Sequence, residues 1–304
     1  MKSKPFVTYV CNTFNRKHLL KNLLRSFVEC NQYSGEFEWI ITDYGSTDGT
    51  RVFLDEFCAM NSWCKRIFLS EEKILNELEQ LGRSPSTQRK KSHVMFGHAR
   101  NTARKAGKAI ELNGLFVEIA DDHQFIMKHD WITDAVNVLN DLEADGVVNI
   151  SSIIYRALPS YKIAKHNNET YPVSKTKSGV EYFVAKHKHY DDYHIQPASS
   201  YVEIGDYMEV AKLDEDSSLL ASWKAGDDVA NHYVDYLKRT KAKAMTKVFL
   251  KIPYAYDFPN DDHKAYNVEH DNLIMKPQSM QRMIRSSKNF DAMISSEQLR
   301  YIIG

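Results

Sequence analysis

The segment Phe37–Thr50, FEWIITDYGSTDGT, constrains this chain more than any other. Trp39, Ile40 and Ile41 form an unbroken apolar run that stops at Asp43, where a glycine-containing turn begins. Apolar residues without alternation are what a strand buried on both faces needs. Asp48 or Thr47 is then available to cap a helix. A parallel strand ending in a carboxylate delivers it to the loop where open α/β sheets bind small molecules. A ligand site beside Asp43 is therefore expected.

The 304 residues suffice for one large domain, or a domain with a subdomain. Forty basic and forty acidic residues cancel, so net charge points to no class of partner. Their distribution is uneven. From Gly82 to Ile110 there is no Asp or Glu, but Arg83, Arg89, Lys90, Lys91, Arg100, Arg104, Lys105 and Lys108 are present. A second acid-free block holds Lys238, Arg239, Lys241, Lys243, Lys247 and Lys251. Such blocks suit an anionic ligand, or the solvated faces of two helices. The four cysteines (Cys11, Cys30, Cys58 and Cys64) show no C-x-x-C and no zinc spacing. No disulfide framework is expected, which fits a reducing compartment. The N-terminus MKSKPFVTYV lacks a long apolar core, so no signal peptide is expected. No run reaches the ~18 apolar residues of a membrane span, and a cytoplasmic location is expected.

Periodicity sets out the organisation. Phe6–Cys11 reads as a strand, and Leu19, Leu20, Leu23, Leu24, Phe27 and Val28 as the buried stripe of a helix. Strands follow at Phe37–Asp43, Lys65–Leu69, Gly114–Ala120 and Gly146–Ile154. Helices are expected around Val52–Phe57, after Ser70, near Gly97–Ala109 and over Lys128–Leu142. The last of these turns Trp131, Ala135, Val138, Leu139 and Leu142 inward. This alternation predicts an α/β fold with a doubly wound, mostly parallel sheet over roughly residues 1–154. Beyond it, Tyr155–Tyr207 is rich in tyrosine, suited either to an acceptor-binding lobe or to ordinary packing.

Two strand ends, at Asp43 and Asp121, carry carboxylates. Acidic groups near a basic block suit a divalent cation bridging to phosphates. Asp121 and His123 are two apart, so extended backbone sends both side chains the same way. A histidine ligand favours Mn²⁺ over Mg²⁺.

These motifs together resemble a known family. VTYVCNTFNRKHLLKNLLRSF, IITDYGSTDGT, GHARNTARKAGK and GLFVEIADDHQF are similar, in order and spacing, to family-2-like glycosyltransferases of the GT-A fold. KAGDDVANHYVDYLKR is similar to that family's G-E-D element. The resemblance implies a nucleotide-sugar-binding half in residues 1–154, and an acceptor-binding and catalytic-base part with a helical extension in 155–304. Asn12, Thr13 and Phe14 then line the nucleobase and ribose, Phe14 standing where the family has Tyr. Asp43 sits beside the base, and Tyr44 replaces the family's second Asp. Arg100 contacts the diphosphate; pairing with a sheet-end carboxylate is its other reading. Arg16, Tyr44 and Asp122 complete the nucleotide-sugar set. Asp121 and His123 take the D-x-D positions as metal ligands, similar to the D-x-H of polypeptide N-acetylgalactosaminyltransferases, with His263 or His270 as a third. Asp227 and Asp228 stand at the Glu-Asp positions, Asp228 as general base.

The implied enzyme transfers a sugar from a nucleotide sugar, a UDP-sugar first, to an acceptor hydroxyl with Mn²⁺ or Mg²⁺, by inversion. The basic surplus leaves open an anionic acceptor: a surface polysaccharide, or hydroxymethylated pyrimidines in phage DNA. Two other classes stay open, a sugar nucleotidyltransferase and a non-catalytic carbohydrate- or nucleic-acid-binding protein. CNTFNR lacks the Gly-rich signature of the former, and the carboxylates at Asp121, Asp227 and Asp228 weigh against the latter.

Overall fold

The computed structural model describes residues 4–80, 88–147, 150–158, 173–185, 194–204, 246–257, 266–269 and 272–275. In chain order the elements are β1 (Val7–Thr13), α1 (Lys17–Cys30), β2 (Phe37–Asp43), α2 (Thr50–Met60), β3 (Cys64–Phe68), α3 (Glu71–Gln80), α4 (Gln88–Ala106), β4 (Leu115–Glu118) and β5 (His123–Phe125). Next come α5 (Trp131–Ala144), β6 (Ile150–Leu158), β7 (Ser174–Lys175), β8 (Glu181–Ala185), β9 (His194–Pro197), α6 (Ala198–Ile204), β10 (Thr246–Asp257), β11 (Tyr266–Glu269) and β12 (Asn272–Met275). The chain divides into two compact units. One comprises Met1–Asn15, Gly35–Ala120 and His187–Met245; the other comprises Arg16–Ser34, Asp121–Lys186 and Thr246–Gly304.

In the first unit the strands run β3-β2-β1-β4-β9. The first four are parallel, with Thr13 level with Asp43 and Val10 level with Glu118. β9 is antiparallel to β4. The order reverses between β1 and β4, the switch point at which open α/β sheets bind ligands. All seven residues of β1 and the last six of β2 are buried, as the apolar run requires. Val10, Ile40, Ala103, Phe116 and Tyr201 close one core cluster; a fully buried side chain of this kind contributes about 1.5–3 kcal/mol. Two glycines let the chain after α4 and before β4 pass close to β1 and Phe6. A Cβ at Gly107 would lie 2.6 Å from Thr8 Cγ2, and one at Gly114 only 2.2 Å from the Phe6 carbonyl oxygen.

Caps set the helix starts. The N-cap of α2 is the left-handed Gly49 rather than the expected Asp48 or Thr47, and Asp48 Oδ1, one residue ahead of it, accepts from Thr50 N at 3.1 Å. Ser70 Oγ accepts from Lys73 N at 3.3 Å. Asp130 Oδ1 accepts from Thr133 N at 3.0 Å, so α5 starts at Trp131 rather than Lys128.

In the second unit, β10 pairs parallel with β6 and antiparallel with β8 and β5, and β11 and β12 form a hairpin. α1 is pinned to β5 by polar bonds. Asn22 Nδ2 donates to Gln124 Oε1 at 3.2 Å, and Phe125 N donates to Ser26 Oγ at 3.0 Å. The expected inward residues of α5 are all buried.

Three expectations need correction. Val28 is 56 % exposed, because Asn22 and Ser26 share the buried face that the apolar stripe was expected to fill. Lys247 and Lys251 of the second basic block lie on the strand β10, not on a helix. α4 spans Gln88–Ala106 and stops before Ala109, because Gly107 begins a run of turns. In the tyrosine-rich segment, Tyr182 and Tyr201 are buried at 6 % and 4 % exposure, the ordinary packing reading. No helix among the described residues is long and apolar enough to cross a membrane.

Candidate functional site

At the C-terminal ends of β1 and β2 the chain gathers several of the expected residues. Asn12 Oδ1 accepts from Thr42 Oγ1 at 2.7 Å, so its side chain is turned to the neighbouring strand. Phe14 and Tyr44 stack face to face, ring centroids 5.1 Å apart and 10° between planes, with Phe14 40 % exposed. Phe14 and Tyr44 thus form one aromatic plate. Gly45, at φ +118°, lets the chain turn beneath it; a Cβ there would lie 3.7 Å from Phe14 Cε2.

Asp43 is fully buried, and its two oxygens differ. Oδ1 accepts from Gly45 N at 3.2 Å, Ser46 N at 3.1 Å and Arg51 Nε at 2.6 Å. Arg51 Nη2 also donates to the Leu69 carbonyl at 2.7 Å, tying α2 to the end of β3. Oδ2 has no hydrogen-bond partner among the described residues, and neither has Oγ1 of the buried Thr13. Buried polar atoms are almost always paired, because an orphaned one costs about 1–3 kcal/mol. These two orphans sit on paired residues of adjacent strands at the switch-point edge, where a ligand could complete their bonding.

Asn15 is a residue that sequence reasoning passed over. It adopts φ +52°, its N–H donates to Ser46 Oγ at 2.8 Å, and its Oδ1 accepts from Thr47 N at 2.7 Å. It straps the turn after β1 to the turn after β2. An Asn in the turn shortly after a strand, where left-handed backbone is tolerated, was its mark in the sequence.

Arg100 points inward. It is 4 % exposed, and its Nη1 lies 2.9 Å from Glu118 Oε2. Arg104, on the same face of α4, pairs with Glu118 Oε1 and stacks over Tyr201 with its Cζ 4.7 Å from the ring centroid. The sheet carboxylate therefore receives two guanidinium groups, the structural reading of Arg100. Two cations of the first basic block are spent inside the fold, so the surplus available to an anionic acceptor is smaller than its count.

In the second unit, Asp121, Asp122 and His123 follow one another on nearly buried backbone. Arg16 Nη1 bridges the two carboxylates, 3.0 Å from Asp121 Oδ1 and 3.1 Å from Asp122 Oδ2. His123 is fully buried, and desolvation pushes its pKa down to about 3, so the imidazole is neutral. It stands opposite Asp257 in the β5–β10 register. Neutral imidazole and carboxylate are the ligating forms for a borderline divalent cation, and the acidic pair already attracts a cation in Arg16. Asp121 and His123 are therefore of the donor types such a cation takes. Among the described residues no three His, Cys, Asp or Glu converge. Asp227, Asp228, His263 and His270 lie outside the described residues.

The fold is that of an α/β protein whose strand order reverses between β1 and β4. No family model matches the sequence, and no curated protein matches it. Among solved structures the chain is similar to the mannosyltransferase PcManGT from Pyrobaculum calidifontis in complex with GDP-Man and Mn²⁺, at 13% identity and TM-score 0.42, covering 68% of this chain. It spans only 49% of that mannosyltransferase chain. It is also similar to S. aureus TarS 1-349 in complex with UDP, at 13% identity and TM-score 0.48, covering 97% of this chain and 68% of that one. The third is glucosyl-3-phosphoglycerate synthase from Mycobacterium tuberculosis in complex with Mg²⁺ and UDP, at 12% identity and TM-score 0.41, covering 96% and 81%.

Proposed function

We propose that this chain is a metal-dependent glycosyltransferase that moves a sugar from a nucleotide-sugar donor, a UDP-sugar first, to an acceptor hydroxyl. The observation that carries this reading is the pair of orphaned, buried oxygens, Asp43 Oδ2 and Thr13 Oγ1, beside the Phe14–Tyr44 plate. A nucleoside supplies what that edge lacks: N–H and O–H donors for the two oxygens, and a flat π-face for the exposed ring of Phe14. Base–aromatic stacking contributes about 1–3 kcal/mol.

Asp121 and His123 would hold the cation, with His263 or His270 as a further ligand. When bound, Mn²⁺ or Mg²⁺ neutralises charge on the leaving nucleoside diphosphate. Asp122 shares Arg16 Nη1 with Asp121. Asp228, with Asp227 beside it, accepts the proton of the acceptor hydroxyl as that oxygen attacks the anomeric carbon from the face opposite the leaving group, which inverts the configuration.

The test is a thermal-shift panel of nucleoside diphosphates with and without Mn²⁺. A ligand of the native state at 100 times its Kd stabilises by about 2.7 kcal/mol. One nucleoside diphosphate is expected to raise Tm in a Mn²⁺-dependent way, and Thr13→Val to lessen the rise without lowering the Tm of the unliganded protein. No shift with any member of the panel refutes the reading.

A further inference from the structure

Cys58, in the last turn of α2, and Cys64, which opens β3, lie on the wall of a 410 Å³ cavity beside Asp55 and Arg66. Their Sγ atoms are 3.2 Å apart, about 1.2 Å longer than an S–S bond. The chain between them is held in place. Cys64 N donates to the Asn61 carbonyl at 2.8 Å, and Asn61 Nδ2 donates to the Phe57 carbonyl at 2.9 Å. Both thiols are free. The hydrogen bond between them lowers the pKa of Cys58, and the Arg66 charge acts the same way; that bond and burial raise Cys64. Cys58 is thus the readier thiolate, the form that attacks disulfides. Cys30 differs: burial pushes its thiol up to about 12, and its Sγ faces the Phe125 carbonyl at 3.8 Å.

We propose that Cys58 and Cys64 are a redox-active dithiol, oxidised by small disulfides that enter through this cavity. The Cys58 thiolate attacks one sulfur of RS–SR, forming Cys58–S–SR and releasing RS⁻. Cys64 then gives up its proton and attacks the Cys58 sulfur; the Cys58–Cys64 bond forms and the second RS⁻ leaves. Two cysteine thiols are oxidised, one small disulfide is reduced to two thiols, and the two protein protons pass to the leaving thiolates. The step is independent of the transferase reading, since none of its residues belongs to the donor edge.

The experiment treats the folded full chain with 2-hydroxyethyl disulfide and follows intact mass, free-thiol count and peptide linkage. The wild type is expected to lose two hydrogens in mass, to drop from four titratable thiols to two, and to yield a Cys58–Cys64 cross-linked peptide reversed by dithiothreitol. Cys64→Ser should stop at a mixed disulfide on Cys58. Cys58→Ser should leave Cys64 at least tenfold slower to react. The proposal is overturned by an unchanged mass, by a cross-link to Cys11 or Cys30, by an adduct that persists on the wild type, or by equal reactivity of the two serine variants. The wild-type result stands alone if either variant fails to fold.

Discussion

Replacing Arg100 by methionine separates a structural arginine from one that binds the donor. The side chain is 4 % exposed, and its Nη1 donates to Glu118 Oε2 at 2.9 Å, with Glu118 only 1 % exposed. Methionine fills much of the same volume and removes the charge. Breaking a buried pair by deleting one partner costs about 3–5 kcal/mol, because the other charge stays buried. Arg104 remains on Glu118, so half of the compensation survives, and the lower end, about 3 kcal/mol, is expected for Arg100→Met. Glu118→Gln leaves both guanidinium groups facing a neutral amide and should cost more, about 4–5 kcal/mol. The double variant should be less unstable than the sum, by about 1–3 kcal/mol of coupling. Urea unfolding followed by circular dichroism measures these values, provided the transition keeps the same m-value. Nucleoside diphosphate affinity of the folded Arg100→Met protein should stay within about threefold of wild type. Stability within about 0.5 kcal/mol of wild type, the range of neutral surface changes, together with a collapse of affinity, would refute the structural assignment.

Other consequences are equally checkable. Gly114→Ala places a methyl group 2.2 Å from the Phe6 carbonyl oxygen and should destabilise by about 1–3 kcal/mol, read as a lower urea midpoint. Phe14→Ala removes the exposed ring of the stacked pair and should weaken nucleotide binding roughly tenfold by calorimetry, while leaving the unliganded Tm nearly unchanged. His129 Nε2 bonds to Asp134 Oδ2 at 2.8 Å, and that hydrogen bond raises the histidine above its usual pKa, with burial opposing and the charges of Asp134 and Asp130 assisting. Because the folded value lies above the unfolded one, the added stability is fully present below about pH 6.5. It is lost as pH rises through the folded value; His129→Gln should flatten that loss in a Tm series from pH 5 to 8. Tyr254→Phe removes the other donor to Asp134 Oδ2, at 2.6 Å, and should cost about 1.5–3 kcal/mol.

What could be read in the sequence tracks how one-sided each environment is. β2 was plain because six of its seven residues are buried and the apolar run admits no other reading. α5 was plain because its apolar spacing had no polar competitor on the core face. β10 was not, since TKVFLKIPYAYD mixes lysines with a proline and mimics a solvated segment, although it pairs with three other strands. β5 has three residues, too few for any period to register. At the proposed donor edge, Asp43 was visible as a polar residue closing an apolar strand, whereas Thr13 was named only through the resemblance, beyond a strand read as ending at Cys11. The stacking of Phe14 on Tyr44 was not visible, because it depends on two turns remote in sequence meeting across Gly45. Glu118 was hidden inside the apolar run LFVE, and without it the inward course of Arg100 had no stated partner.

Release of nucleoside diphosphate from a panel of nucleotide sugars tests the proposed donor chemistry. With Mn²⁺ present, wild-type protein is expected to release the diphosphate from at least one donor, slowly to water and faster once an acceptor is supplied. Asp121→Ala, folded by circular dichroism, is expected to release none. Inertness of the wild type toward every donor, or turnover that survives Asp121→Ala, contradicts the account.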